Sequence, residues 1–236
     1  VSVDPTTNAV ITVYSGPAEW SYRRFILHYA RLCAAINAID PGAVDAFLVG
    51  SELRALCAVR DSATHFPAVD HLKALAADAK AILGSGVKVS YAADWSDYGR
   101  HQPGDGSLFF HLDPLWADPN VDFVGVDVYV PLSDWRYGNA HRDALAGHAS
   151  IYDRSYLQAN IEGGEFYDWF YASQADRDAQ VRTPITDGAY GKPWVWRAKD
   201  FRNWWLNPHY DRPGGIENAT PTAWVPQSKP IWFTEF

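Results

Sequence analysis

Apolar stretches of two different periods alternate along the first half of the chain. "AEWSYRRFILHYARLCAAINAI" (18–39) repeats apolar residues at helical spacing, with Phe25, Leu27, Leu32, Ala35 and Ile36 as the expected buried set. Pro41 and Gly42 close it, and the continuous apolar run "AFLVG" (46–50) follows as a strand. A second helix is predicted over "FPAVDHLKALAADAKAILGSG", with Pro67 in its first turn and Gly84 just past its end. Strands are predicted at 87–95 ("VKVSYAADW") and 121–130 ("VDFVGVDVYV"), with a helical turn in "FFHLDPLW" between them. A short strand is expected at 10–15, and "IWFTEF" (231–236) reads as one more buried strand.

Strands that are unbroken apolar runs, separated by helices, indicate βα units and a parallel sheet covered on both faces. That leaves a barrel or an open doubly wound sheet. No glycine-rich turn follows a strand and opens a helix, so a dinucleotide fold is disfavoured. Polar residues gather just after strand C-termini, at Glu52, Asp94, Trp95, Asp127, Tyr129 and Glu235. In a (β/α)8 barrel that is the active-site face, and the barrel is the favoured reading. Residues from about 131 to 225 are irregular and rich in Trp, Tyr, Gly and Pro. Helices are expected there within 153–173 and 196–207. Without a repeat or a low-complexity linker, residues 1–236 read as a single domain carrying one long insertion.

The net charge of −8 lacks the electrostatic footprint of a nucleic-acid binder. No apolar run is long enough to insert in a bilayer. Cys33 and Cys57 form no framework and read as small buried hydrophobes. The histidines lack the carboxylate partners of a zinc or iron signature, so no metal and no cofactor is expected. Aromatics make up 15% of the chain, which suits sugar stacking as well as it suits an ordinary core. Methionine is absent, no signal peptide opens the chain, and the last strand ends it. An incomplete barrel cut from a longer polypeptide is therefore expected.

Two apolar runs end on a glutamate, at Glu52 and Glu235. Paired carboxylates on different strand ends are what glycosidic cleavage requires, one to protonate the leaving oxygen and one to attack or to activate water. The alternative for Glu52 is a structural pair with Arg54 or Arg23. Asp94 and Asp97 read equally as caps, and Glu165, within "IEGGEFYDWF", as a solvated loop carboxylate. Of the adjacent Trp204 and Trp205, helical spacing places at least one in the core.

The stretches "WSYRRFILHYARLCA", "FLVGSELRAL", "VSYAADWSDYG", "FFHLDPLWADPNVDFVGVDVYVPLSDWR", "GKPWVWRAKDFRNWWLNPH" and "PTAWVPQSKPIWFTEF" resemble the glycoside-hydrolase-like barrel of gene transfer agent and phage tail proteins. The resemblance implies an incomplete TIM barrel whose strands four to seven are "FLVGSEL", "VKVSYAADW", "VDFVGVDVY" and "PIWFTEF". It is also similar to retaining glycosidases, which implies Glu52 as acid/base and Glu235 as nucleophile. Those enzymes mostly place Asn before the acid/base to bind the sugar 2-hydroxyl, where this chain has Ser51. Trp95, Tyr98, Asp127, Tyr129, Trp194 and Trp196 are the residues expected to bind sugar. The implied function is cleavage of a bacterial cell-surface glycan by a module of a phage-like tail. The alternative is a non-catalytic glycan-recognition or structural module. Implied partners are a poly- or oligosaccharide, other domains of the same long chain and tail proteins. Synthesis in the bacterial cytoplasm and action at the cell surface go with that reading.

Overall fold

The computed structural model describes residues 21–236 and, before them, the strands β1 (Ser2–Val3) and β2 (Val10–Ile11), which pair antiparallel. The remainder of the strand expected at 10–15 lies outside the described residues. Two compact units form: Val1–Val128 with Pro208–Phe236, and Tyr129–Asn207.

In the first unit α1 (Tyr22–Ile39) starts where the Ser21 side chain accepts the Arg24 N–H at 3.2 Å, satisfying one of the unpaired donors of a helix start. Asn37 then clasps Val44 through both its amide groups, at 2.9 and 2.8 Å, and so fixes the connection to β3 (Ala46–Ser51). Of the five residues expected to be buried on α1, Leu27 is buried, whereas Phe25, Leu32, Ala35 and Ile36 are exposed. The helix is apolar on more than one face, and the narrower face of Ile26, Leu27 and Ala30 is the one that is buried. A short α2 (Arg54–Cys57) precedes α3 (Pro67–Leu83), which opens on Pro67 and closes at Gly84 with φ +80. α3 buries Val69, Leu72, Leu75, Ala76 and Ala79. β4 (Lys88–Asp94), the single turn α4 (Asp113–Trp116) and β5 (Val124–Asp127) follow.

The second unit contains α5 (Arg142–Leu145), α6 (Arg154–Ala159), β6 (Trp169–Phe170), α7 (Gln174–Ala179), β7 (Thr183–Pro184) and α8 (Phe201–Leu206). The helix expected within 153–173 is limited to α6. A Cβ on Gly163 would lie 2.3 Å from the Ala159 carbonyl, and Gly164 adopts φ +70, so the chain turns here and enters the β6–β7 hairpin. Carboxylates paired with cations organise the unit. Asp134 accepts from Arg136 and Arg182 at 2.8 Å and from the Tyr171 hydroxyl at 2.6 Å. Glu165 is not solvated as expected: it is buried and pairs with Arg177 at 2.5 Å. Trp204 is buried and Trp205 half-buried.

Back in the first unit, the final segment is held before its strand begins. His209 stacks between Phe110 and Trp224, with centroids 4.3 and 5.6 Å away, and meets Asp113 through Nδ1 at 2.8 Å. Lys229 then donates to the carbonyls of Asp118 and Val121, beside the start of β5, and β8 (Ile231–Glu235) follows.

These strands form one parallel sheet in the order β3–β4–β5–β8. The expected α/β class and parallel sheet are present. The barrel was expected to be incomplete; among the described residues no closed barrel forms, since closure requires every strand to pair on both sides and β3 and β8 each have one strand partner here. Gly125 lets β5 lie against β4, because a Cβ there would stand 2.4 Å from the Tyr91 carbonyl oxygen. Tyr91, Trp116, Phe109, Phe123 and Leu112 are fully buried. No helix among the described residues is long and apolar enough to cross a membrane.

Candidate active site

Acidic residues line up along the C-terminal edge of the sheet. Asp94 is in register with Asp127, Asp127 is in register with Glu235, and Glu52 follows the end of β3. Both glutamate-bearing strands slip in register just before their glutamate. Leu48 pairs with Ser90 and Ser51 with Ala92, so β3 advances three residues while β4 advances two. Phe233 pairs with Val126 and Glu235 with Asp127, so β8 advances two residues while β5 advances one. Such bulges reset the alternation of side chains between the two faces.

Glu52 itself leaves the strand in a left-handed conformation, φ +51, which is uncommon for a residue with a Cβ. Its N–H donates to the Ala92 carbonyl at 2.8 Å, and the next N–H, of Leu53, donates to the buried Tyr91 hydroxyl at 2.7 Å. Tyr91 therefore anchors the backbone just after Glu52 from within the core. Burial pushes the Tyr91 hydroxyl pKa up, with the Cys57 thiol beside it adding to the effect. Gly50 is hemmed in by Tyr22, whose hydroxyl would lie 2.7 Å from an added Cβ.

The Glu52 carboxyl is held above the usual carboxylate range. Partial desolvation is the first cause, and the negative charges of Asp94, Asp127 and Glu235 add to it in that order. The alternative pairing of Glu52 with Arg23 or Arg54 does not form among the described residues, and Arg23 pairs with Asp78 instead. Asp127 is fully buried. It accepts from Ser51 Oγ at 2.8 Å and from Thr234 Oγ1 at 2.5 Å, one hydroxyl on each oxygen. Asp94 accepts the Ser96 N–H at 2.8 Å, as a turn-capping carboxylate does.

The other expected site residues are spread more widely. Trp95 is half-buried and its N–H donates to the Asp127 carbonyl at 3.0 Å, directly beside the acidic edge. Tyr98 is only 1% exposed, and its carbonyl accepts the Trp116 ring N–H at 3.1 Å. Tyr129 is 57% exposed and is the first residue of the second unit. Trp194 and Trp196 are half-buried in a 3₁₀ turn, Pro193–Trp196, of that same unit. The sheet edge thus brings together Glu52, Glu235, Asp127 and Asp94. Sequence reasoning passed over Thr234 and Tyr91. The signal for Thr234 was available, since a hydroxyl residue stands immediately before each glutamate, in Ser51-Glu52 and Thr234-Glu235. Among the described residues no group of His, Cys, Asp or Glu is arranged to hold a metal ion.

Residues 20–236 match the family described as the GTA TIM-barrel-like domain, where GTA denotes gene transfer agent. The chain belongs to that family. The match covers the whole parallel sheet and both glutamates, so the acidic edge is part of the GTA TIM-barrel-like domain. A comparison with curated proteins finds no match.

Proposed function

We propose that the acidic edge is the active site of a retaining glycosidase acting on a bacterial cell-surface glycan, as a module of a gene transfer agent tail. The observation that carries this reading is the raised carboxyl of Glu52 on the edge that also holds Glu235. A raised carboxyl pKa, from desolvation first and neighbouring negative charges second, is the direction that a general acid requires. In the first step the Glu52 proton goes to the glycosidic oxygen as its bond to the anomeric carbon breaks. The Glu235 carboxylate bonds to that carbon. Water then attacks the glycosyl ester, Glu52 takes its proton, Glu235 is released, and the sugar leaves with its configuration retained.

Release of new reducing ends from purified peptidoglycan and capsular polysaccharides tests the reading. Glu52→Gln and Glu235→Gln are each expected to lower the rate by about 10²-fold or more while leaving glycan retention on an affinity gel intact. Full activity in either variant would overturn the assignment. The complete burial of Tyr98, one of the residues expected to meet sugar, favours a second reading, a non-catalytic glycan-recognition or structural module of the tail. Glycan retention without new reducing ends would select its recognition form.

A further inference from the structure

Of the four acids on the sheet edge, Asp127 alone is fully buried. A buried carboxylate is tolerated when its oxygens accept hydrogen bonds. The two hydroxyls that meet this need belong to the residues immediately before the two glutamates, Ser51 before Glu52 and Thr234 before Glu235. Those glutamates sit on strands that are not neighbours, since β4 and β5 stand between β3 and β8. No backbone ladder relates them directly, and the steps that relate them indirectly include a register slip just before each glutamate. Backbone pairing therefore relates the two glutamates only by way of β4 and β5. The link Ser51–Asp127–Thr234 spans that gap with side chains.

We propose that Asp127 is a positioning residue, a clamp that holds the Ser51 and Thr234 hydroxyls together and so sets the spacing of Glu52 and Glu235 without touching substrate. The Ser51 O–H proton is engaged inward, so Ser51 does not act as a donor to a sugar hydroxyl. The catalytic consequence of the clamp rests on the glycosidase reading. The clamp itself does not.

The decisive variant removes the hydroxyls and leaves every charge in place: Ser51→Ala with Thr234→Val. Side-chain carboxyl resonances of Glu52 and Glu235 are titrated by NMR in the wild-type chain, in this double variant and in the rescue variant Thr234→Ser. The groups facing Glu52 are Asp94, Asp127 and Glu235, and none of them is substituted. The expected result is a shifted Glu52 titration with altered coupling to Glu235 in the double variant, and wild-type curves in Thr234→Ser. Unchanged glutamate titrations in a folded double variant would overturn the clamp. Should the double variant not fold, Thr234→Val against Thr234→Ser carries the same comparison.

On a cleaved glycan, the double variant is expected to lose about 10²-fold in kcat with KM within about threefold, as misplacement of reacting groups does. A loss confined to KM would assign these hydroxyls to substrate binding and overturn the positioning role. If the wild-type chain cleaves no glycan, the glycosidase reading fails, and the titrations still decide the clamp.

Discussion

The end of β3 and the end of β8 carry the same short pattern, a hydroxyl residue followed by glutamate, and they present it by different means. At β8 the glutamate stays in the strand: Glu235 is in register with Asp127 and its carbonyl accepts the Val128 N–H at 2.8 Å. At β3 the chain leaves the sheet at the glutamate itself, through φ +51, and is caught at once by Ala92 and by the core hydroxyl of Tyr91. One glutamate is held by the ladder and the other by a turn pinned from inside. The pinned end tolerates a strained residue because buried groups fix it on both sides. Among the described strands, the ladder end pairs with β5.

The largest expected effect comes from breaking the frame that both ends share. Gly125→Ala would place a Cβ against the Tyr91 carbonyl, 2.4 Å away before any adjustment, and β4 and β5 must part to accept it. A loss of about 3 kcal/mol or more in urea unfolding is expected, at the upper end of overpacking costs. An unfolding midpoint equal to that of the wild type would show that the strand pair is looser than its geometry implies.

A smaller effect separates the two ends. Tyr91→Phe removes the hydroxyl that receives the Leu53 N–H and keeps the ring. Leaving that N–H without its partner is expected to cost about 1–3 kcal/mol. The Glu52 resonance should broaden or shift, while that of Glu235, held by the β5 ladder, should stay. Equal disturbance of both would mean that the two ends are one mechanical unit and that the contrast between them is wrong.

The sequence made part of this arrangement legible. Apolar runs ending in a carboxylate pointed to Glu52 and Glu235, because glutamate after a buried strand needs a reason. Asp127 was visible as an acid at a strand end. Its complete burial was not, since the hydroxyls that satisfy it come from Ser51 and Thr234, 76 and 107 residues away in sequence. The buried face of α1 was missed for a related cause: with apolar residues on several faces, periodicity offers more than one stripe and packing chooses. The second unit was the least legible. Its order comes from pairs such as Asp134 with Arg182 and Glu165 with Arg177, and such pairs leave no period in the sequence.

The smallest expected effect reads the electrostatics of the pinned end alone. With a carboxyl pKa raised in the folded state, Glu52 holds more proton when folded than when unfolded. Stability then falls as pH rises from the unfolded glutamate value, about 4.3, through the folded one, and levels off above it. Asp94→Asn keeps an acceptor for Ser96 and removes the nearby charge that contributes most to the shift. It should lower the Glu52 titration midpoint more than Glu235→Gln does, and both should flatten the fall in stability across that window. Neither variant should return Glu52 to an ordinary glutamate value, because desolvation is the leading cause and both leave it in place. If Glu235→Gln alone brought it there, the glutamates would be coupled far more closely than the two modes of support imply, and the ladder end would control the pinned one.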